Sequence, residues 1–368
     1  MQKHLAGSVV RGDPRCRLDV EVLAVATANP VHKVEQAEAL KRAKGIFPHL
    51  ARLEALYSNT GIETRYSCEP YQWCQQEHGW PDRTAAFQRH ALALLEEVAV
   101  KATEKAGLAL ADIDMLVVNT ITGLAIPSLD AKLMNRLPFR RSVERLPIFG
   151  LGCGGGVAGL ARAARLAEGM PGANVLFLTV DLCSLCARPN DPSLAMFVSA
   201  ALFGDGAAGM VLRARRGREE PSMRKGSLPR IRAVGEHCWR DSEYIMGWDI
   251  KEDGFGVVLS PELPGLMRRE LRPALDAFLE RSAFQLSDFA GFLFHPGSQK
   301  LLETAEDILG LERAQIAHSW EVLRHYGNMS SVTALFVLRR ALEAGARGLH
   351  LLVAFGPGFS AYFAVAEL

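Results

Sequence analysis

Apolar positions follow two alternating patterns along this chain. Short runs rich in Val, Ile, Leu and Phe predict strands, and longer stretches with apolar residues at every third or fourth position predict helices. The predicted strands cover residues 18–26, 114–119, 147–151, 174–180, 207–214, 230–236, 290–295, 349–355 and 361–367. The predicted helices cover residues 83–106, 155–169, 192–203, 261–281, 298–310 and 330–344. Strands that alternate with helices indicate an α/β protein with a mostly parallel sheet covered on both faces.

One charged segment interrupts this alternation. Residues 214–229 (ARRGREEPSMRKGSLP) combine charge with Gly and Pro, which predicts a solvated loop or linker. The pattern is similar on both sides of it, so we expect two halves, residues 1–220 and residues 221–368. A chain of 368 residues has room for two to three units at roughly 150 residues per domain.

Composition and charge narrow the class of protein. The chain is 49% hydrophobic and 23% charged, and its 42 basic and 41 acidic residues leave a formal charge of +1. Such a balance is typical of a globular protein without an overall field for nucleic acid or an anionic membrane. Residues 175–185, the most apolar stretch, are interrupted by Asp181, and the N-terminal residues lack the apolar core of a secretory signal. Seven irregularly spaced cysteines fit a reducing compartment, so we expect a cytoplasmic enzyme or binding protein.

The first candidate site is the segment GLGCGGG at residues 150–156. An apolar strand runs into these glycines and a helix with one apolar face follows, which predicts that Cys153 lies at a tight strand-to-helix turn. There the helix dipole and free backbone N–H groups favour a thiolate, and the glycines let a substrate approach the backbone. Cys153 is therefore a candidate nucleophile. The alternative is a buried cysteine in a turn that needs glycine for packing.

The second and third candidates are a histidine and an asparagine. His295 follows a predicted strand in FLFHPGS, residues 292–298, and ligands sit at the carboxyl ends of strands in open α/β sheets. Asn328, in HYGNMSS at residues 325–331, precedes an apolar helix, where it either caps the helix or holds its amide in a cleft. Each alone is compatible with a structural role. Together with Cys153 they form a set suited to nucleophilic catalysis, because such residues need be adjacent only in space.

Metal and nucleotide cofactors have little support in the sequence. Cys183 and Cys186 have the spacing of half a zinc site, but no second CxxC or CxxH pair accompanies them. There is also no Gly-x-Gly-x-x-Gly that opens a helix and no Walker sequence. We therefore expect no metal and no cofactor.

In their order and spacing, these segments resemble the type III polyketide synthases, the chalcone synthase family of the thiolase superfamily. The resemblance covers most of the chain and includes ATANP at 26–30, ALFGDGA at 201–207 and FGPG at 355–358. It implies a thiolase-like five-layered αβαβα fold built from two similar halves, working as a homodimer. It also implies acyl-CoA and malonyl-CoA as substrates. In this family Cys153 would carry the acyl chain, and His295 and Asn328 would complete the triad.

The resemblance also assigns positions around a substrate cavity. Phe203 matches one of two gatekeeping phenylalanines, and the other falls near Gly256 or Val257, where this chain has no phenylalanine. Further positions match the cavity lining: Thr122, Cys183, Cys186, Gly247 and Ser330. Ile126 matches the residue that reaches into the partner subunit's cavity. Arg52 matches one basic residue of the cluster that holds the CoA phosphates.

The implied reaction is iterative. An acyl-CoA starter is loaded on Cys153, malonyl-CoA loses CO₂, the enolate attacks the acyl group, and the lengthened chain finally cyclises to a pyrone or a resorcinol-type ring. The segments MGWD at 246–249 and GFGVVLS at 254–260 are similar to those of bacterial members that make alkylpyrones or alkylresorcinols, which favours aliphatic starters.

Three alternatives remain open. A ketoacyl-ACP synthase III shares the Cys-His-Asn set but performs one condensation, and the Pro-Gly after His295 and the Met-Ser-Ser after Asn328 favour the polyketide synthase over it. A cysteine peptidase needs Cys, His and Asn, but the twin α/β halves argue against it. A non-catalytic acyl-binding protein would leave the three residues without a reaction.

Overall fold

The computed structural model describes residue 13, residues 15–215 and residues 228–368. The strands in these residues are β1 (Arg17–Ala28), β2 (His32–Glu35), β3 (Thr64–Ser67), β4 (Met115–Thr120), β5 (Glu144–Phe149), β6 (Val175–Leu182), β7 (Asp205–Ala214), β8 (Arg230–Cys238), β9 (Met246–Lys251), β10 (Gly254–Leu259), β11 (Phe289–Phe294), β12 (Leu349–Gly356) and β13 (Ser360–Glu367).

Helices connect most of these strands. The α-helices are α1 (Gln36–Ile46), α2 (Ala55–Ser58), α3 (Tyr71–Cys74), α4 (Trp80–Lys105), α5 (Leu129–Leu133), α6 (Gly155–Gly169), α7 (Leu194–Leu202), α8 (Leu263–Ser282), α9 (Gln299–Leu309), α10 (Ala317–Tyr326) and α11 (Thr333–Glu343). Short 3₁₀ turns cover Pro48–Leu53, Leu110–Asp112, Gly152–Gly154, Cys183–Cys186, Leu286–Asp288, Arg313–Ile316 and Ser330–Val332.

Nine of the strands form one sheet in the order β11-β12-β13-β8-β1-β7-β6-β4-β5. The pairs β4–β5, β4–β6 and β11–β12 are parallel, and the other five pairs are antiparallel. The prediction of a mostly parallel sheet is therefore wrong. Parallel neighbours need a long crossover, but a helix between two strands does not impose one: β6 and β7 are antiparallel although α7 lies between them.

Helices and strands stack in five layers, and three of the apolar cores lie between them. On one side α4 packs against β1, β6 and β7. In the middle, α6 contacts strands of both halves, from β6 and β7 to β12 and β13, and α11 lies beside it. On the far side α8, α9 and α10 cover β8, β11, β12 and β13. The thiolase-like order of helix, strand, helix, strand, helix is confirmed.

The central helix α6 shows why this layering suits the sequence. A helix packed between two layers of strands buries most of its surface, so it needs small apolar residues on the faces that meet the strands. Ten of its fifteen residues are buried, and these are Gly, Ala, Val and Leu. The two halves are also joined directly, because β1 pairs with β8, as between Val20 and Ile231. The strands therefore form one continuous sheet and not two separate ones.

All of the predicted strands and helices are found, but four short strands of the structure are not predicted. All nine predicted strands and six predicted helices overlap observed elements, with the strand at 147–151 shifted to Glu144–Phe149. The strands β2, β3, β9 and β10 were not predicted. They are four to six residues long, and β2, β3 and β9 carry many polar or exposed positions, so no apolar run marks these three.

The expected boundary between residues 220 and 221 lies outside the described residues. The flanking strands end at Ala214 and begin at Arg230, which leaves the predicted linker between them. In the part of the chain that the structure describes, no helix is long and apolar enough to cross a membrane.

Candidate active site

Cys153 lies in the 3₁₀ turn Gly152–Gly154, directly before the central helix α6. Gly152 has a left-handed backbone (φ +50°), and a Cβ there would lie 2.5 Å from Cδ of Pro357. A Cβ at Gly156 would overlap the carbonyl oxygen of Ser331. The glycines of this turn are therefore required because two segments of the C-terminal half pass directly against it.

Asn328 is fixed from both its backbone and its side chain. Its backbone N–H donates to the Leu202 carbonyl (2.9 Å) and its carbonyl accepts from the Gly204 N–H (2.9 Å), so it brackets Phe203. Its Oδ1 accepts from the Ser330 N–H (2.8 Å), and its Nδ2 donates to the Gly297 carbonyl (3.1 Å). Because an amide nitrogen carries two hydrogens, one remains free to donate elsewhere.

His295 continues the parallel ladder beyond the end of β11. Its backbone N–H donates to the Val353 carbonyl (2.7 Å), and Gly297, two residues on, holds the amide of Asn328. The ring is only 6% exposed, and neither Nδ1 nor Nε2 has a hydrogen-bond partner. An unpartnered buried polar group is costly, so such an imidazole is suited to an incoming ligand. Ser298, which follows Gly297, caps α9 because its hydroxyl accepts a hydrogen bond from the Leu301 N–H (3.3 Å).

The thiol and the amide meet between the two halves. Cys153 Sγ lies 4.0 Å from Asn328 Oδ1, a weak contact across the junction. Burial raises the pKa of the Cys153 thiol to about 11, a shift that a hydrogen bond from Ser330 opposes and the nearby Asp181 carboxylate reinforces. Burial lowers the pKa of His295 to about 4. Both groups are therefore neutral at pH 7, whereas the sequence predicts a thiolate. Loss of solvent outweighs the helix dipole here.

A buried carboxylate lies behind this junction. Asp181, at the end of β6, accepts from the backbone N–H groups of Ile121 (2.8 Å) and Ser331 (2.9 Å). The hydroxyls of Thr120, Thr122 and Ser331 also donate to it. Burial raises its pKa, and these hydrogen bonds oppose the rise. Asp181 therefore ties the strand that ends next to the site to the turn that carries Ser331.

A pocket of about 50 Å³ opens on Cys153. Five of the predicted cavity residues line it: Phe203, Cys183, Gly247, Val257 and Ser330. A second, larger cavity of about 140 Å³ lies beside it, with mostly apolar walls that include Cys186. The two share four residues, Cys183, Phe203, Trp248 and Val257, which therefore form a common wall.

Four of the residues predicted to bind substrate or CoA line neither cavity. Thr122 is buried but donates to Asp181 and accepts from the Leu182 N–H (2.8 Å), and its neighbour Ile121 lines the pocket instead. A Cβ at Gly256 would face Lys251 and Arg188, away from the side on which Val257 lies, because successive residues of a strand face opposite sides. Ile126 is 96% exposed. Arg52 is exposed and lines neither cavity.

Comparison with known proteins identifies the family. The family model described as "Chalcone and stilbene synthases, N-terminal domain" matches residues 11–215, and the one for the C-terminal domain matches residues 234–365. The chain belongs to this family. It is a type III polyketide synthase, an acyltransferase that extends a starter by decarboxylative condensation with malonyl-CoA and cyclises the product.

Relatives and solved structures agree over almost the whole chain. The 1,3,6,8-tetrahydroxynaphthalene synthase of Streptomyces peucetius subsp. caesius is 37% identical over 351 residues, covering 93% of this chain and 91% of its own. Phloroglucinol synthase of Pseudomonas fluorescens is 32% identical over 347 residues, covering 92% and 96%. The crystal structure of 1,3,6,8-tetrahydroxynaphthalene synthase from Streptomyces coelicolor A3(2), a bacterial type III polyketide synthase, superposes with a TM-score of 0.87 at 29% identity, covering 94% of this chain and 99% of its own.

Several pocket residues of this synthase were not predicted from the sequence. They are Ile121, Met246, Trp248, Val258, Leu259 and Pro357. Most belong to the hairpin of β9 and β10, which was not recognised as a pair of strands. The signal that could have found it is the run GFGVVL after a Gly at 254, a short apolar strand following a turn.

Among the described residues, no group of three or more His, Cys, Asp or Glu is arranged to hold a metal ion. The seven cysteines are all free thiols.

Proposed function

We propose that Cys153, His295 and Asn328 perform the condensation chemistry of this synthase. The observation that carries the proposal is the buried His295 ring, both of whose nitrogens lack a partner, next to the segment that holds the Asn328 amide. Acyl transfer needs a nucleophile, a proton acceptor and donors for the oxyanion, and these three side chains supply all of them.

Loading begins with a neutral thiol and a neutral imidazole. As the Cys153 sulfur attacks the thioester carbon of acyl-CoA, its proton passes to His295. The oxyanion accepts hydrogen bonds from the free amide hydrogen of Asn328 and from the His295 ring. When the tetrahedral intermediate collapses, the C–S bond to CoA breaks, and CoA takes the proton and leaves as a thiol. The acyl group remains on Cys153.

Extension uses the same donors a second time. The bond from malonyl-CoA to its carboxylate breaks, CO₂ leaves, and the electron pair moves into an enolate whose charge rests on the thioester oxygen. Loss of one donor to such an oxygen costs roughly 3 kcal/mol. The enolate carbon attacks the acyl-Cys153 carbonyl and the sulfur leaves as a thiolate. This thiolate then attacks the thioester carbon of the lengthened chain, the C–S bond to CoA breaks, and CoA leaves as a thiolate. Decarboxylation supplies the carbanion, so the proposed reaction needs no metal or redox cofactor.

An aliphatic acyl-CoA starter and a pyrone or resorcinol-type product fit the walls of the site. The cavity beside the Cys153 pocket is mostly apolar, and Cys183 and Cys186 leave more room there than larger side chains would. The relatives are named for 1,3,6,8-tetrahydroxynaphthalene and phloroglucinol, which are hydroxylated aromatic rings. Ring closure is therefore part of the proposal. Arg52 stays a prediction for the CoA phosphates.

A homodimer is the proposed assembly. Ile126 is 96% exposed in the loop after β4, Leu124 in the same loop is 43% exposed, and Phe149 at the end of the edge strand β5 is 51% exposed. Large apolar side chains grouped near a sheet edge are typical of a protein interface. A second copy would cover them, with Ile126 entering its partner's cavity. The free cysteines support a reducing compartment, so we place the enzyme in the cytoplasm.

Mass spectrometry of the products tests this function. Purified protein receives malonyl-CoA with acyl-CoA starters of increasing length, and Cys153→Ala serves as the control. Cys153-dependent pyrones or resorcinols would support the proposal, and the preferred starter would define the substrate. A product with a single extension, or one that requires acyl carrier protein, would instead support a ketoacyl-ACP synthase III.

A further inference from the structure

The hairpin of β9 and β10 forms part of the wall of both cavities. Trp248 and Val257 line the Cys153 pocket and the larger apolar cavity, and Gly247 lines the pocket only. Another part of this wall comes from the 3₁₀ turn Cys183–Cys186, through Cys183 in both cavities and through Ser184 and Cys186 in the larger one. The position of the hairpin relative to the turn therefore affects the space beyond Cys153.

Among the described residues, the hairpin has no strand neighbour in the main sheet. There β9 and β10 pair with each other alone, from Met246 opposite Leu259 to Lys251 opposite Gly254. A two-stranded hairpin is marginal by itself, so its position must be fixed by contacts from other elements.

Side chains from two elements hold the tip of the hairpin. Arg188, just after the Cys183–Cys186 turn, donates from Nε to both carboxylate oxygens of Asp253 (2.9 and 3.0 Å) and from Nη1 to Asp191 (2.8 Å). The Arg188 side chain is only 16% exposed and itself lines the larger cavity, whereas that of Asp253 is 43% exposed. This ion pair is a direct link between two parts of the shared wall, the hairpin and the segment that follows the Cys183–Cys186 turn.

Backbone contacts reinforce the link. Arg83, on α4, donates from Nε to the Asp253 carbonyl (2.8 Å) and from Nη1 to the carbonyls of Leu185 and Ala187. One buried guanidinium therefore binds the hairpin tip and the turn together. Trp80 adds a hydrogen bond to the Lys251 carbonyl (2.9 Å) and an edge contact with Phe255.

We propose that Arg188 and Asp253 are positioning residues that set chain-length specificity by holding the hairpin against the Cys183–Cys186 turn. The inference rests on the proposed function, in which the acyl chain on Cys153 occupies the space that these two elements enclose. With the pair intact, the wall stays closed and limits the starter. Without it, the hairpin moves outward and longer chains gain access.

The first test compares starters. Asp253→Ala should raise the ratio of kcat/KM for a long acyl-CoA starter to that for a short one by about fivefold or more, since small changes in pocket size discriminate on this scale. Asp253→Glu keeps the charge and should stay close to the wild-type ratio. The matched control is Asp249→Ala on the same hairpin, because the Asp249 carboxylate pairs with Lys251 within the hairpin (3.0 Å) and is 58% exposed. It should leave the ratio unchanged.

A double-variant cycle separates positioning from general damage. Arg188→Ala also removes a side chain from the cavity wall, so it is the reference for the double variant. If the pair acts as a unit, adding Asp253→Ala to Arg188→Ala should change the ratio of kcat/KM no further. An equal fall with all starters, at an unchanged ratio, would mean that the pair is only structural and would overturn the proposal.

A second measurement does not depend on catalysis. N-alkyl iodoacetamides of increasing chain length alkylate Cys153, and the ratio of rates for long over short reagents reports the space beyond the thiol. Asp253→Ala should raise this ratio and Asp249→Ala should not. If wild-type protein extends no starter but the alkylation ratio still shifts, the proposed function fails and the positioning role stands. An unshifted alkylation ratio overturns the positioning role whatever the enzyme makes.

Discussion

The two halves bring their reactive residues to the site on matching turns of different composition. In the N-terminal half the 3₁₀ turn Gly152–Gly154 leads into α6, and in the C-terminal half the 3₁₀ turn Ser330–Val332 leads into α11. Each turn begins with a residue in the left-handed region, φ +50° at Gly152 and +51° at Ser330. Glycine adopts this conformation freely, whereas for serine it costs on the order of 1 kcal/mol.

The difference lies in how each turn is held. The serine turn is hydrogen-bonded throughout: the Ser331 N–H and hydroxyl donate to Asp181, and Thr333 Oγ1 accepts from the Met329 N–H (2.9 Å) and donates to the Ser330 carbonyl (2.9 Å). In the glycine turn the Cys153 side chain has weaker contacts, a 4.0 Å approach to Asn328 Oδ1 and a hydrogen bond from Ser330. The C-terminal half therefore offers a rigid donor, and the N-terminal half a thiol that is free to react.

Removing the thiol should have the largest effect. Cys153→Ala should lower the rate of condensation by at least about a thousandfold, because the acyl intermediate of the proposed reaction forms on this sulfur. The measurement is product formation by mass spectrometry with malonyl-CoA and a starter. Cys238→Ala, which removes the exposed cysteine, is the matched control and should keep wild-type activity. Robust product from Cys153→Ala would refute the assignment of the nucleophile.

Removing the rigid donor should affect one step more than the other. Asn328→Ala should slow malonyl-CoA decarboxylation by about a hundredfold or more, a typical loss for one oxyanion donor. Starter loading should suffer less, because His295 still accepts the proton of the thiol. Release of CO₂ and formation of acyl-enzyme are measured separately, with the exposed Asn135→Ala as control. Equal losses in both steps would contradict the division of roles between the two turns.

Comparing the same regions indicates what a sequence can predict. The strands and helices around the site were found because long apolar runs with a clear period mark them, and α6 was predicted with the bounds observed. The three candidate residues stood at the ends of such elements. The structure brings these ends together. The carbonyl of Gly297, two residues after His295, accepts a hydrogen bond from the Asn328 amide, and the Asn328 side chain contacts Cys153.

What the sequence missed depends on burial and on long-range contacts. The helix dipole suggested a thiolate at Cys153, but the extent of burial that raises its pKa is set by both halves at once. Thr122 was expected in the cavity, yet the Asp181 carboxylate, whose position depends on β6, draws its hydroxyl away. In the β9–β10 hairpin, β9 has no buried residue and no apolar run, and β10 offers only the short run GFGVVL, which glycine interrupts.

A methyl group added at Gly156, in the helix that follows the glycine turn, should disturb the close contact between the two turns. Gly156→Ala places its Cβ against the Ser331 carbonyl, and overpacking of this kind destabilises a core by about 1–3 kcal/mol. The free energy of unfolding in urea measures the effect. Gly169→Ala, at the end of the same helix and with open space around it, should change that free energy by less than about 0.5 kcal/mol. Equal stability of the two variants would show that the halves do not depend on the close approach.

The smallest effect should separate backbone strain from hydrogen bonding on the serine side. Ser330→Ala and Ser330→Gly both remove the hydroxyl, so they differ only in how well they tolerate the left-handed backbone at φ +51°. Ser330→Gly should be the more stable by about 1 kcal/mol, because an alanine there keeps the steric conflict between Cβ and the following carbonyl oxygen. Urea unfolding of the two variants side by side measures this difference. If Ser330→Ala were as stable as Ser330→Gly, the left-handed backbone at Ser330 would carry no strain.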